Sequence, residues 1–298
     1  MSGDIRDKTY LDHKDILGLN FIKAPGIVVF RRHYREGLRS QIMEILDPKA
    51  LTYETKGVFI NGVRLFPRAA PSMVFRIFKT RFLTIEEAWE EINRVKIIAS
   101  YLVPENMAKS QEFLVDYIRH GKHDILLCGL QEYVRGVILD PWSLLDQRHL
   151  ISLLDELRDE KMKNHVMETK EWIDIFREKT GQFIEKIKRM IKDARFVPDL
   201  AGVGNLILTC SGHIKLVDIN NISKIIFDSN IRVDDRGYPV CDKSIEALSL
   251  LERKLLGKSL EREDCIYRIF LDPERMDRVK AIEKAFHHTI CAEESYSD

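Results

Sequence analysis

The chain has 298 residues, of which 45% are hydrophobic and 32% are charged, so it can bury a substantial core. Its 47 basic and 47 acidic residues balance, so the composition indicates neither a nucleic-acid-binding protein nor an acidic tail. The five cysteines are widely spaced and form no C-x-x-C pair, which indicates neither a disulfide framework nor a zinc site.

The first 54 residues have a mixed pattern, and we predict an N-terminal extension of uncertain structure there. Within it, residues 27–30 are predicted to form a short strand. Residues 36–46 are predicted to form a short helix.

Stronger local signals follow this extension. The dipeptide Asn61-Gly62 stands between two apolar runs and predicts a β-hairpin, because both residues tolerate the positive φ angles of a tight turn. Another strand is predicted over residues 73–79. Thr84 and Glu87 have the spacing of a capping box, which predicts that a helix begins there.

A compact strand is predicted over residues 124–130. From Asp146 onward the apolar period is mainly helical, and a long helix is predicted over residues 168–192. Two short strands, residues 206–208 and 214–217, are then separated by Ser211-Gly212, which predicts a second hairpin. The helical pattern returns at residues 243–256.

This order of elements is typical of an α+β fold. A strand-rich half with one helix is followed by a helical half with one hairpin. A break near Gly136 divides the chain beyond the extension into a small lobe, residues 55–136, and a larger lobe, residues 137–298.

The most informative stretch covers residues 196–220 and follows the long helix. Asp199 comes first, Asn205 leads into the second hairpin, and Asp218 stands at the hairpin's far end, 13 positions after Asn205. Carboxylate and amide oxygens are hard ligands that suit Mg²⁺. A hairpin would hold two such ligands rigidly on neighbouring strand ends.

This stretch resembles the catalytic and metal-binding loops of the protein-kinase-like superfamily. The resemblance implies a two-lobed protein-kinase-like fold with a strand-rich N-lobe and a mainly helical C-lobe. It also implies that the protein uses ATP and Mg²⁺. Asp199 would orient the acceptor hydroxyl, and Asn205 and Asp218 would hold the metal.

Residues 131–136 resemble the hinge of that superfamily. There, a strand leaves the small lobe as an extended linker whose backbone groups bind the adenine edge. The resemblance therefore implies that Glu132 and Val134 bind the nucleotide through their backbone.

Lys79 resembles the strand lysine that grips the phosphates in the superfamily. Because alternate residues of a strand share a face, Ile77 is expected to face the nucleotide with it. Glu91 or Glu90 on the following helix is expected to hold Lys79 by an ion pair. These two glutamates point about 100° apart, so only one of them can do so.

The stretch also departs from the family's pattern. Asn205 follows Asp199 by six positions, one more than the family's spacing. The triplets Val197-Pro198-Asp199 and Asp218-Ile219-Asn220 replace His-Arg-Asp and Asp-Phe-Gly. A Gly-x-Gly-x-x-Gly loop near residues 57–62 and an Ala-Pro-Glu motif are both missing. These departures fit a divergent bacterial or small-molecule kinase branch, or a pseudokinase.

Three hypotheses follow for the function. The first is an ATP-dependent phosphotransferase whose acceptor, a hydroxyl of a small molecule, a lipid or sugar, or a protein, is unknown. The second is a pseudokinase or nucleotide-binding scaffold without turnover. The third is an unrelated α+β binding protein, because Asp and Asn are common turn residues and the spacing can arise by chance.

The expected partners are ATP and the unknown acceptor, without nucleic acid. The polar start of the sequence lacks the features of a signal peptide, and no apolar run is long enough for a membrane span. We therefore expect a cytoplasmic location. The sequence leaves the oligomeric state open.

Overall fold

The computed structural model describes residues 3–23, 26–34, 37, 39–159, 168–259 and 264–295, without the side chains of residues 159 and 289–295. The fold is α+β, as the order of elements predicts. The chain divides into two compact units. Unit 1 comprises Met1–Arg94 and Ala108–Tyr133, and unit 2 comprises Val95–Met107 and Val134–Asp298.

Unit 1 is built on a five-stranded antiparallel sheet with the order β1-β2-β5-β7-β6. A separate two-stranded hairpin, β3–β4, stands apart from this sheet. The elements are α1 (His13–Leu17), β1 (Val29–Arg32), β2 (Ser40–Leu46), α2 (Pro48–Lys56), β3 (Val58–Ile60), β4 (Val63–Leu65), β5 (Met73–Phe78), α3 (Ile85–Leu102), β6 (Ser110–Arg119) and β7 (Lys122–Glu132). Helix α3 contributes its first residues to unit 1 and those from Val95 onward to unit 2.

The helix predicted over residues 36–46 is wrong, because the structure has strand β2 at Ser40–Leu46. Ile42, Ile45 and Leu46 have helical spacing, so the local pattern does not reveal the strand. Strand β2 lies inside the sheet between β1 and β5, so residues on both of its faces are covered and the usual alternation disappears.

The first 54 residues are part of unit 1 in the structure. Strands β1 and β2 pair in the same sheet as β5. The preceding segment adds Ile5, Leu11 and Ile16 to an apolar cluster with Phe75 and Ile77 of β5. One boundary between the two units falls at Tyr133–Val134.

An ion-pair network fixes the N-terminal segment of unit 1. The carboxylate of Asp4 accepts from Arg6 and from Arg81, each at 2.8 Å, and Arg6 also pairs with Asp124. The side chains of Asp4 and Arg6 are buried, so neither charge can be solvated if its partner is removed.

Two local signals in unit 1 are confirmed. Asn61 and Gly62 have φ angles of 50° and 80° and turn the chain between β3 and β4. At the start of α3, the Glu87 backbone N–H donates to Thr84 Oγ1 at 3.3 Å, as the capping spacing predicts.

Unit 2 is mainly helical and carries two small sheets. One sheet has the order β11-β10-β8, and the other pairs β12 with β9. The elements are β8 (Val137–Ile138), α4 (Gln147–Asp159), α5 (Thr169–Ala194), β9 (Phe196–Pro198), β10 (Leu206–Leu208), β11 (Ile214–Leu216), β12 (Ile222–Lys224), α6 (Val240–Leu256), α7 (Cys265–Phe270) and α8 (Pro273–Ser295).

The core of unit 2 lies around helices α5 and α6. The apolar stripe predicted along α5, including Trp172, Phe176 and Phe183, is buried there. The hairpin predicted at Ser211-Gly212 joins β10 and β11, and Gly212 has the positive φ of 79° that its turn needs.

Two general properties of the described residues bear on the sequence predictions. None of the helices in the described ranges has the length and apolar character that crossing a bilayer requires. The four cysteines with described side chains, Cys128, Cys210, Cys241 and Cys265, are free thiols.

Candidate active site

The candidate site in unit 2 begins where strand β9 ends at Pro198. The pairing of β9 with β12 continues one residue further, because the Asp199 backbone N–H donates to the Asn221 carbonyl at 2.9 Å. The Leu200 N–H then donates to Ser244 Oγ of α6 at 3.2 Å. These two bonds fix the start of a loop that runs from Asp199 to Asn205.

The Asp199 carboxylate folds back over its own loop. Its Oδ1 accepts from the backbone N–H groups of Ala201 and Gly202 at 3.0 and 3.1 Å. Burial, together with the negative charge of Asp218, raises the pKa of Asp199 to about 6, against the hydrogen bonds from Gly202, Ala201 and the Asn221 side chain.

Asn205 joins the two ends of the site. Its Nδ2 donates to the Asp199 carbonyl at 3.0 Å, and its own carbonyl accepts from the Val217 N–H at 2.9 Å. Val217 directly precedes Asp218. The structure thus brings Asp199, Asn205 and the segment that carries Asp218 together. That Asp199 and Asn205 face one cleft stays a prediction.

The extra loop residue is accommodated at an outward tip. Val203 has 67% of its surface exposed, and Gly204 adopts a φ of 90° that favours glycine. Gly202 serves a different purpose, because a Cβ built on it would lie 2.4 Å from Asn205 Nδ2. The loop therefore needs Gly204 for its positive φ and Gly202 for the close approach of the Asn205 side chain.

Asp218 stands two residues beyond strand β11. Its Oδ1 accepts from the Asn220 N–H at 3.2 Å, which orients the carboxylate within the turn that leads to β12. The donor set of Asp199, Asn205 and Asp218 consists of oxygens, which suits Mg²⁺ better than softer metals. Within the described residues, no group of three or more His, Cys, Asp or Glu side chains is arranged to hold a metal.

Sequence reasoning missed three residues that support this loop. Trp142 Nε1 donates to the Ala201 carbonyl at 2.8 Å, while Ser244 and Asn221 make the bonds described above. The Asn220-Asn221 pair, one residue beyond Asp218, was a visible signal for one of them. Nothing in the local sequence connects Trp142 or Ser244 with a loop about sixty or forty residues away.

The other candidate residues belong to unit 1, except Val134, which belongs to unit 2. Lys79 follows strand β5, is half-buried, and donates its backbone N–H to the Arg39 carbonyl at 2.9 Å. Ile77 was expected to face the nucleotide with Lys79. It is fully buried in the apolar cluster that the N-terminal segment completes.

Of the two glutamates considered as partners of Lys79, Glu91 is the more buried. Its side chain is 22% exposed, against 74% for Glu90, and burial raises its pKa. Glu91 forms an ion pair with Arg94 at 3.1 Å. Helix α3 therefore supplies Glu91 with a cation from its own next turn.

The two hinge candidates differ in their backbone bonds. The Glu132 N–H donates to the Lys109 carbonyl at 2.8 Å, so this donor is already used. In the described part of the chain, the backbone N–H and carbonyl of Val134 make no hydrogen bond, and the residue is half-buried. Val134 therefore offers one donor and one acceptor to a ligand edge.

A scan against protein-family models finds none that matches the chain, and a search of curated proteins finds no match either.

Proposed function

We propose that this chain is an ATP-dependent phosphotransferase of the protein-kinase-like type that works with Mg²⁺. Its acceptor is a hydroxyl of a small molecule, a lipid or sugar, or a protein. Asn205 and Asp218 hold the metal and Asp199 faces the acceptor. Lys79, Glu91, Glu132 and Val134 remain the predicted nucleotide-binding residues.

The observation that carries the proposal is the double anchoring of Asn205. Its Nδ2 is occupied by the Asp199 carbonyl, which leaves the amide Oδ1 without a hydrogen bond among the described residues. Its carbonyl is bonded to Val217, the neighbour of Asp218. The backbone segments that carry the amide oxygen and the carboxylate are thereby held next to each other, which supports their use as ligands for one hard cation.

The chemistry of phosphoryl transfer fits this arrangement. The reaction needs positioning and charge neutralisation more than covalent help, and Mg²⁺ supplies that neutralisation at the phosphates when bound. Asp199, with a pKa of about 6, can accept a hydroxyl proton near neutral pH. The repulsion between Asp199 and Asp218 also favours a cation at this position.

One observation favours nucleotide binding without turnover as a second candidate. Asp199 Oδ1 is occupied by two N–H groups of its own loop, and the carboxylate also accepts from the Asn221 side chain, so most of its hydrogen-bonding capacity is already used. A residue engaged in this way resembles a turn former as well as a base. Binding and turnover must therefore be measured separately.

Calorimetry with ATP, with and without Mg²⁺, tests the proposal on four proteins. Asp218→Asn is expected to weaken Mg²⁺-dependent ATP binding at least about tenfold, because charge on a metal ligand is removed. Asp199→Asn should bind nearly as well as the wild type but lose turnover. Asp155→Asn, an exposed surface carboxylate of α4 in the same unit, is the matched control and should change neither.

Absence of ATP binding up to millimolar concentration, in either condition, would refute the nucleotide site. Greater loss of binding in Asp199→Asn than in Asp218→Asn would mean that the two roles are assigned the wrong way round. ATP binding without turnover under any acceptor tested, and unaltered by Asp199→Asn, would favour the second candidate.

A further inference from the structure

The hairpin β3–β4 exposes an unusual amount of apolar surface. Every residue from Phe59 to Arg68 is exposed. Five of these ten are large hydrophobic residues whose exposed fractions run from 44% to 69%: Phe59, Ile60, Val63, Leu65 and Phe66. Single exposed hydrophobic residues are ordinary, but a contiguous group marks an interaction surface.

The base of this hairpin is firmly attached to unit 1. Glu54 accepts from Arg31 and from the Ala69 N–H, both at 2.8 Å, and these contacts tie the two ends of the segment together. Arg64 Nε donates to the Lys56 carbonyl at 2.9 Å, which closes the hairpin against the end of α2. The apolar residues are thus presented on an ordered element.

The two faces of the hairpin differ in chemistry. Directly paired residues share a face, so the pairs Val58–Leu65 and Ile60–Val63 make one face entirely aliphatic. On the other face, the Arg64 guanidinium lies 5.6 Å from the ring centre of Phe59 and 5.7 Å from that of Phe66. Apart from the half-buried Val58, the residues of both faces are exposed and apolar, and one face also carries a cation.

The surrounding sequence is positively charged. Between Glu54 and Glu86 the chain has six Lys and Arg residues and no Asp or Glu. Three of those cations, Lys56, Arg64 and Arg68, are exposed at the hairpin. Glu54 is the nearest acid along the chain, and it pairs with Arg31 at 2.8 Å. Arg68, 68% exposed at its side chain, lies 4.0 Å from Glu44, which also pairs with Arg31.

We propose that the hairpin β3–β4 is a peripheral membrane-binding element for anionic lipid surfaces. The aliphatic face contacts the acyl-chain boundary, while Phe59 and Phe66 lie at headgroup level and Lys56, Arg64 and Arg68 meet lipid phosphates. Three-residue strands span about 10 Å, which matches the 5–10 Å depth of interfacial binding. Exposed basic residues strengthen attraction to an anionic leaflet.

Other occupants fit less well. A second copy of the chain would bring the same three cations against each other, and like charges oppose that contact. A groove on a protein partner would cover one face of the hairpin and leave the other in water. A headgroup layer surrounds the element and covers both faces.

Vesicle co-sedimentation of the full chain, without ATP, tests the proposal. The protein should bind vesicles containing phosphatidylglycerol and bind pure phosphatidylcholine vesicles several-fold more weakly. The double variant Ile60→Ser/Val63→Ser should weaken binding at least about tenfold, because it removes aliphatic groups from the inserting face. Lys56→Gln/Arg68→Gln should weaken binding to anionic vesicles several-fold and reduce its sensitivity to salt.

Leu83→Ser is the matched control, because Leu83 is 89% exposed yet lies outside the hairpin. It should bind vesicles as the wild type does. Circular dichroism should show all variants folded, since the changed side chains are exposed. No binding to anionic vesicles, or equal binding by Ile60→Ser/Val63→Ser and wild type, would overturn the proposal. A changed oligomeric state in that variant, with unchanged vesicle binding, would assign the hairpin to contact between copies.

Discussion

Gly202 lies beneath the Asn205 side chain, so adding one methyl group there tests how the candidate site is built. In Gly202→Ala the new Cβ would lie 2.4 Å from Nδ2 and 2.9 Å from Cγ of Asn205. The Asn205 side chain must move, and its 3.0 Å bond to the Asp199 carbonyl must break. We expect this variant to lose Mg²⁺-dependent ATP binding as well as stability.

The expected loss of stability in Gly202→Ala follows from the displacement of the Asn205 side chain. The colliding atoms belong to a side chain rather than to backbone, so the damage is limited to one hydrogen bond, about 1 kcal/mol, and some repacking. Together these should lower the free energy of unfolding by about 1–3 kcal/mol. Urea denaturation measures this loss, and calorimetry with Mg²⁺-ATP measures the effect on binding.

Gly181→Ala is the matched control in the same unit. Gly181 lies within helix α5, and the nearest atom to a Cβ there is Leu256 Cδ1 at 3.9 Å, an ordinary contact. Alanine in a helix interior should raise the free energy of unfolding by about 0.5–1 kcal/mol. Replacement of glycine by alanine is thus expected to lower the free energy of unfolding at position 202 and to raise it at position 181. Equal stability and equal nucleotide binding of Gly202→Ala and wild type would refute the reasoning.

Three further predictions concern charged side chains. The pKa of Asp199 rises from 3.8 to about 6 on folding, so ionisation of this carboxyl destabilises the native state as pH rises through that window. Urea denaturation at several pH values should therefore show Asp199→Asn gaining stability relative to the wild type between pH 4 and 6. A difference in stability that stays constant with pH would contradict the shift. Asp4→Ala should lower the free energy of unfolding by about 3 kcal/mol, because Arg6 would keep a buried charge with one ion-pair partner fewer. Thermal melting measures this loss, and a much smaller loss would mean that the network is dispensable. Lys79→Met should lower ATP affinity or turnover while circular dichroism shows the fold intact. Unchanged affinity and turnover would move the phosphate-binding role to Arg76, the cation on strand β5 before Lys79.

The elements that the sequence predicts correctly are those with a local chemical signal. Asn61-Gly62 and Ser211-Gly212 mark their turns through positive φ, and Thr84 marks the start of α3 through its hydroxyl. Strand β2 lacks such a signal, because its conformation depends on pairing with β1 and β5. Ile77 was likewise misjudged, since residues more than sixty positions earlier cover it.

The candidate site shows the same division between local and distant information. The spacing of Asp199, Asn205 and Asp218 is a property of one continuous stretch, and the structure brings these three residues together. Trp142 and Ser244 reach the loop from 59 and 44 positions away, respectively, so no local pattern could reveal them. Long-range contacts of this kind are decided by tertiary packing.

The dense bonding of the loop from Asp199 to Asn205 has a thermodynamic consequence for any ligand that meets it. Fixing a mobile backbone costs about 1–2 kcal/mol per residue, and when a flexible loop becomes ordered on binding this cost reduces the affinity for the ligand. Here the loop backbone is already fixed on folding, by hydrogen bonds to Asn221, Ser244 and Trp142. Binding should therefore carry a small entropic penalty from this loop, and the Leu200 amide should exchange its hydrogen slowly even before a ligand arrives.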